Sequence, residues 1–154
     1  MVPIAIALGS NLGHRARYLH DAAARLGDVV TDLRLSSFIE TDPQGVGAQP
    51  RFLNAAAIGS TTASAAALLE SLLAIERDCG RERPYRGAPR TVDLDLIFYG
   101  NEVIEEAALT VPHPRFRTRL FVLEPLAEIA PEWLDPVTRQ TVAELLRRAR
   151  VSAL

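Results

Sequence analysis

Strand-like and helix-like segments alternate along this chain except at one point, and that exception narrows the fold most. Val29–Ile39 and Phe52–Ser60 both read as strands, and only a loop rich in proline and glycine, Thr41–Pro50, stands between them. Before this pair comes a short apolar run, Val2–Leu8, ending in a turn at Gly9-Ser10-Asn11. A helical stripe follows at Arg15–Leu26, with Leu19, Ala22, Ala23 and Leu26 in phase and Gly27 as C-cap. After the pair, Ser64 is placed to cap a helix reaching Asp78, with Leu68, Leu69, Leu72 and Ile75 as its buried stripe and Gly80 closing it. A strand at Thr91–Phe98 completes the order β-α-β-β-α-β. That order is the split-βαβ, ferredoxin-like plan: an α+β fold with one mainly antiparallel sheet and helices packed on it. Beyond it the sequence predicts a turn at Gly100-Asn101, a short strand at Val103–Ile104 and an extended Leu109–Pro114. A helical stretch at Arg117–Ile129, kinked or broken near Pro125, and an amphipathic helix at Thr141–Arg150 follow.

The Thr91–Phe98 strand carries the chain's oddity. Alternate residues of a strand share a face, so Val92, Leu94 and Leu96 point to a core while Asp93 and Asp95 point the other way, roughly 7 Å apart. Such a pair can be the solvent face of a half-buried sheet. It can equally hold a divalent cation, because Mg²⁺ takes hard oxygen ligands and binds through one or two carboxylates plus phosphate oxygens. The neighbouring sequence favours the second reading. Arg81, Arg83, Arg86 and Arg90 crowd the irregular stretch running into the acids, and the guanidinium fork suits phosphate. Glu76 lies beside the stripe of the preceding helix, where it can pair with an arginine or join the site. Asn54, within an apolar strand, is either a satisfied core amide or a donor to a heterocycle, and Phe52 shares its face. His113 is pinned between Pro112 and Pro114, with Arg115, Arg117 and Arg119 close behind. His14 and His20 read as surface, and Cys79 as a small core residue.

Composition closes other routes. The 154 residues fit one domain, 1–154. A net charge of -2 offers no basic field for nucleic acid. All 17 cationic residues are arginine, which excludes lysine-based covalent chemistry. With one cysteine there is no internal disulfide framework. Neither a leader pattern nor a membrane-spanning apolar run is present, and the expected state is a cytoplasmic monomer with no membrane partner.

Five segments, in order, resemble the 6-hydroxymethyl-7,8-dihydropterin pyrophosphokinases of folate biosynthesis. They are Ala7-Leu8-Gly9-Ser10-Asn11-Leu12-Gly13, Phe52-Leu53-Asn54-Ala55, Pro89-Arg90-Thr91-Val92-Asp93-Leu94-Asp95-Leu96, Leu109-Thr110-Val111-Pro112-His113-Pro114 and Leu126-Ala127-Glu128-Ile129-Ala130-Pro131. The resemblance implies an enzyme moving the β,γ-pyrophosphoryl group of ATP to the pterin hydroxymethyl oxygen, with AMP as by-product. It implies Arg90, Asp93 and Asp95 as catalytic residues, with Asp93 and Asp95 holding two Mg²⁺ ions on the triphosphate. It assigns the pterin to Thr41, Gln44, Phe52, Asn54, Asp95 and Phe121. It assigns ATP to Glu76, Arg81, Arg83, Arg90, Ile97, Thr110, His113 and Arg119. In place of the family's usual tryptophan, Gly87 stands before the Ala-Pro-Arg-Thr run, with Tyr85 nearby. Two other readings fit the residues alone: a different Mg²⁺-dependent nucleotide transferase on the same fold, and a non-catalytic nucleotide- or pterin-binding module.

Overall fold

The computed structural model describes residues 1–11, 13–41, 51–79 and 91–154. Its elements are β1 (Val2–Ser10), α1 (Arg15–Leu26), β2 (Thr31–Leu35), β3 (Ile39–Thr41), β4 (Phe52–Thr61), α2 (Ala65–Cys79) and β5 (Asp93–Tyr99). Then come β6 (Ile104–Glu105), β7 (Thr110–Val111), a 3-10 turn (Phe116–Thr118), α3 (Leu120–Ile129) and α4 (Val142–Ser152). The main sheet runs β2-β4-β1-β5, with β3 also on β4, and every described pairing is antiparallel. This is the ferredoxin-like order expected, with two refinements. The predicted Val29–Ile39 strand is split, because Ser36 leaves the ladder: its N–H donates to the Ala56 carbonyl at 2.8 Å and its hydroxyl accepts from the Ala56 N–H at 2.8 Å. The predicted turn at Gly9 is instead strand, with Gly9 paired to Asn54 on one side and Asp93 on the other.

Both faces of the sheet are buried along most of their length. On one face Ile4, Ile6 and Leu8 of β1 and Leu94 and Leu96 of β5 pack under Leu19 and Leu26 of α1 and Leu68, Leu72 and Ile75 of α2. The other face, lined by Ala5, Ala7 and Ala56, lies under α3 and α4, whose Val122, Leu123, Leu126, Val142 and Leu145 are buried there with Phe98 and Phe116. Small residues on the sheet let these helices approach closely. The face that carries Asp93 and Asp95 is therefore not a plain solvent face: two residues further on, the same face becomes a second core. The changeover is a β-bulge in the β1–β5 ladder. Ala5 pairs Phe98 while Ile6 pairs Leu96, so Ile97 is the extra residue, and Ile97 and Phe98 both enter the second core.

The helix ends follow the sequence closely. Ser64 accepts from the Ala67 N–H at 3.1 Å, as an N-cap should. Thr141 and Glu144 form a reciprocal capping box at the start of α4. Of the kink or break expected near Pro125, the break is absent: α3 runs through it, and an interruption falls earlier, at Arg119, whose backbone is extended at φ -100 and ψ 100. Pro125 lacks the N–H that would bond the Phe121 carbonyl, and it is buried within the helix. Gly80, expected to close α2, lies outside the described residues.

Candidate active site

At the end of the second face that α3 and α4 leave uncovered, four elements bring polar groups together. β5 contributes Asp93 and Asp95, both half-buried, on the face opposite Leu94 and Leu96. The segment after β7 brings His113, Pro114, Arg115 and Arg119 against them around an open depression of about 450 Å³, within the usual range for small-molecule sites. β3 and β4 bring Thr41, Phe52 and Asn54, and register places Asn54, Gly9 and Asp93 in one row across three strands.

Each group is held by identifiable contacts. The His113 N–H donates to the Ile97 carbonyl at 3.0 Å, tying its segment to β5. Its Nδ1 accepts from the Arg115 N–H at 3.2 Å, which leaves Nε2 for the depression. Burial pushes the imidazole pKa down and Arg119 and Arg115 push it the same way, while Asp95 pulls up against them. The net direction favours the neutral ring. Asn54 is buried, at 4% exposure, yet its Nδ2 donates to the Thr41 hydroxyl at 2.6 Å, so it is a satisfied amide that also borders the site. Glu76 reaches the acids from behind: its Oε2 accepts from the Leu94 N–H at 2.8 Å, fixing the backbone between Asp93 and Asp95. The Arg119 guanidinium sits 5.4 Å over the Phe121 ring at the start of α3.

The structure also separates residues that the sequence grouped. Arg117 turns away from the depression into a bidentate pair with the fully buried Asp135, Nε–Oδ2 2.6 Å and Nη2–Oδ1 3.1 Å. Ile97 is buried in the second core and meets the site through its carbonyl alone. The Thr110 hydroxyl donates to the Glu106 carbonyl at 3.3 Å, and Thr110 does not line the depression. Gln44, Arg81, Arg83 and Arg90, with Gly87 and Tyr85, lie outside the described residues.

Two supports went unread in the sequence. Asp135 also accepts from the Val137 N–H at 3.0 Å and the Thr138 hydroxyl at 2.8 Å. Asp-Pro two residues before a threonine is a turn signature that could have flagged it. Arg15 donates to Glu40 at 2.6 Å and to the Arg51 carbonyl at 2.8 Å, bracing the outer ends of β3 and β4. A lone arginine at a helix start carries no such signal.

A ferredoxin-like sheet end that sets paired carboxylates against a histidine and arginines has the chemistry to bind a small polyanion together with a cation. The comparisons then place it. The family model for 7,8-dihydro-6-hydroxymethylpterin-pyrophosphokinase (HPPK) matches residues 5–131. The 2-amino-4-hydroxy-6-hydroxymethyldihydropteridine pyrophosphokinase of Bacillus subtilis is 49% identical over 126 residues, covering 80% of this chain and 75% of that one. The protein of the same name in Synechocystis is 41% identical over 151 residues, covering 97% and 77%. Among solved structures, the Plasmodium falciparum HPPK-DHPS A437G protein with STZ-DHP superposes with a TM-score of 0.76 at 13% identity, covering 96% of this chain and 45% of that one. This last likeness shows the fold, over less than half of the larger protein. The chain belongs to the HPPK family.

Proposed function

We infer that this chain transfers the pyrophosphoryl group of ATP to 6-hydroxymethyl-7,8-dihydropterin, giving the pterin diphosphate and AMP in folate biosynthesis. Family membership supports the reaction. The observation that carries the assignment of parts is the row Asn54–Gly9–Asp93, which joins an aromatic-and-amide corner to an acid-and-cation corner on one sheet face.

Phe52 and Asn54, with Thr41, Gln44 and Phe121, are the pterin-recognising group: a flat ring meets an aromatic face and an amide edge. Arg90, Arg119, His113, Arg81 and Arg83 are the triphosphate-recognising group, with Thr110, Glu76 and Ile97 supporting it. A divalent metal accompanies a kinase of this type, and the donors present fit Mg²⁺. Asp93 and Asp95 are hard oxygen ligands on one face, and among the described residues no three metal-ligating side chains form a self-contained cage. Such a pair holds Mg²⁺ together with phosphate oxygens, and we assign it two ions. When bound, the ions supply charge neutralisation on the triphosphate.

The residues themselves bind and orient. In-line transfer needs positioning and electrostatic stabilisation more than a covalent nucleophile, and the carboxylates and histidine of the site serve that positioning; Cys79 is on α2 among the residues packed against the first core. His113, neutral by environment, offers Nε2 as a hydrogen-bonding partner to phosphate. We read residues 1–154 as one domain and propose that it acts as a monomer. Among the described residues no helix is long and apolar enough to cross a membrane, and we place the chain in the cytoplasm.

Phosphorus NMR of the chain with ATP, Mg²⁺ and 6-hydroxymethyl-7,8-dihydropterin is expected to show AMP and the pterin diphosphate growing together. ADP as product, pyrophosphate release, or ATP-analogue binding without turnover would overturn the reading.

A further inference from the structure

Glycine at position 9 is not demanded by its backbone. The described glycines with positive φ are Gly13 and Gly100, and Gly9 is ordinary strand, paired on both sides. In that conformation any L-residue fits, and glycine weakens a strand. The reason for it must lie in space. A Cβ on Gly9 would stand 3.0 Å from Asn54 Oδ1 and 3.7 Å from Phe52 Cδ1. The Asn54 amide cannot easily withdraw, because its Nδ2 is held by the Thr41 hydroxyl at 2.6 Å. The Phe52 ring and the Asn54 amide therefore lean across β1 over bare backbone, toward the strand that carries Asp93. Gly59 makes the contrast: a Cβ there would meet Val30 Cγ1 at 2.3 Å and the Thr31 carbonyl oxygen at 2.8 Å, which marks a packing glycine far from the acids.

We propose that Gly9 is a positioning residue for pterin recognition: its missing side chain sets how far Phe52 and Asn54 reach toward the acidic pair. This rests on the function inferred above. Adding one methyl group acts on the pterin corner and leaves the phosphate corner, on β5 and the His113 segment, unchanged.

The test is Gly9→Ala, assayed by steady-state AMP release beside the wild type, with thermal unfolding of both. The expected result is a rise in KM for 6-hydroxymethyl-7,8-dihydropterin of about tenfold, the scale of overpacking one methyl group. KM for ATP should stay within about twofold, and unfolding should remain cooperative, with the midpoint lowered only by the overpacking of one methyl group. If the wild type turns over and the variant keeps the wild-type pterin KM, or raises both KM values together, the positioning role is wrong. A variant that no longer unfolds cooperatively also overturns it, because Gly9 would then serve the fold. Absence of AMP from the wild type defeats the parent reading itself and this inference with it.

Discussion

At the scale of single residues, the acids stand where the proposed function needs them, on the uncovered end of their sheet face. Asp95 is half-buried beside His113 on the open end of its face, and the second core begins only at Ile97. Asp95→Asn is expected to cut kcat/KM by about a hundredfold or more, the scale of losing a pre-set electrostatic partner. Its circular dichroism and unfolding midpoint should stay near wild type; retained activity under saturating Mg²⁺ would remove Asp95 from the metal site. Asn54→Ala divides differently. Its Nδ2 bond to Thr41 is buried, so the variant should lose about 1 kcal/mol of stability, read by urea unfolding, besides raising the pterin KM. The acids, Asn54 and His113 were legible because a polar residue inside an apolar strand, or a histidine between prolines, breaks a local pattern. The fate of Arg117 was not, because residues 115, 117 and 119 look equivalent in sequence and only the 3-10 turn sends Arg117 to Asp135 and the other two to the depression.

At the scale of elements, two polar braces set the borders of the site. Burial pushes the Asp135 carboxyl up, but the Arg117 guanidinium, the Val137 N–H and the Thr138 hydroxyl outweigh it and hold the group below the usual aspartate range. A carboxyl depressed by folding lends stability that is present above about pH 4, its unfolded range, and is lost as pH falls through the folded value. Unfolding midpoints should therefore drop more steeply below pH 4 in the wild type than in Asp135→Asn. Asp135→Asn itself should cost about 3 kcal/mol at neutral pH, by leaving Arg117 without its buried partner. The second brace is exposed and weaker. Arg15 holds the Glu40 carboxyl below its ordinary range and donates to both Glu40 and the Arg51 carbonyl. Arg15→Ala should leave global stability nearly unchanged, yet speed amide hydrogen exchange at 40–41 and 51–52, the facing ends of the two strands. Unchanged protection there would mean the brace holds nothing. Element order and most boundaries were readable from periodicity and caps. The break at Arg119 was not, because nothing in the residue types around it marks an extended backbone there, whereas Pro125 drew the expectation.

At the scale of the whole molecule, the site is a margin where core packing stops. The continuous apolar run Val2–Leu8 marks a strand buried on both faces, but it could not show that α3 and α4 would be the elements covering the second face and would leave only its end open. That arrangement links ligand binding to stability through nucleotide and metal together. Mg²⁺ alone should leave the unfolding midpoint unchanged, whereas a non-hydrolysable ATP analogue with Mg²⁺ should raise it, by about 2.7 kcal/mol at a hundred times Kd. A clear shift with Mg²⁺ alone would show a preformed cage and contradict a metal that enters on phosphate.

β5 ends the sheet, and among the described residues no strand is paired to its outer row of amides and carbonyls. Open edges invite pairing with another chain. Here the His113 N–H takes the Ile97 carbonyl, and β7 lies alongside. The segment that carries the histidine proposed to meet phosphate is thus also the guard of the sheet's exposed border. Replacing the residues around His113 bears on solubility as well as on turnover, and a chain that loses this segment's grip gains a template for self-association at the place where it would have bound its substrate.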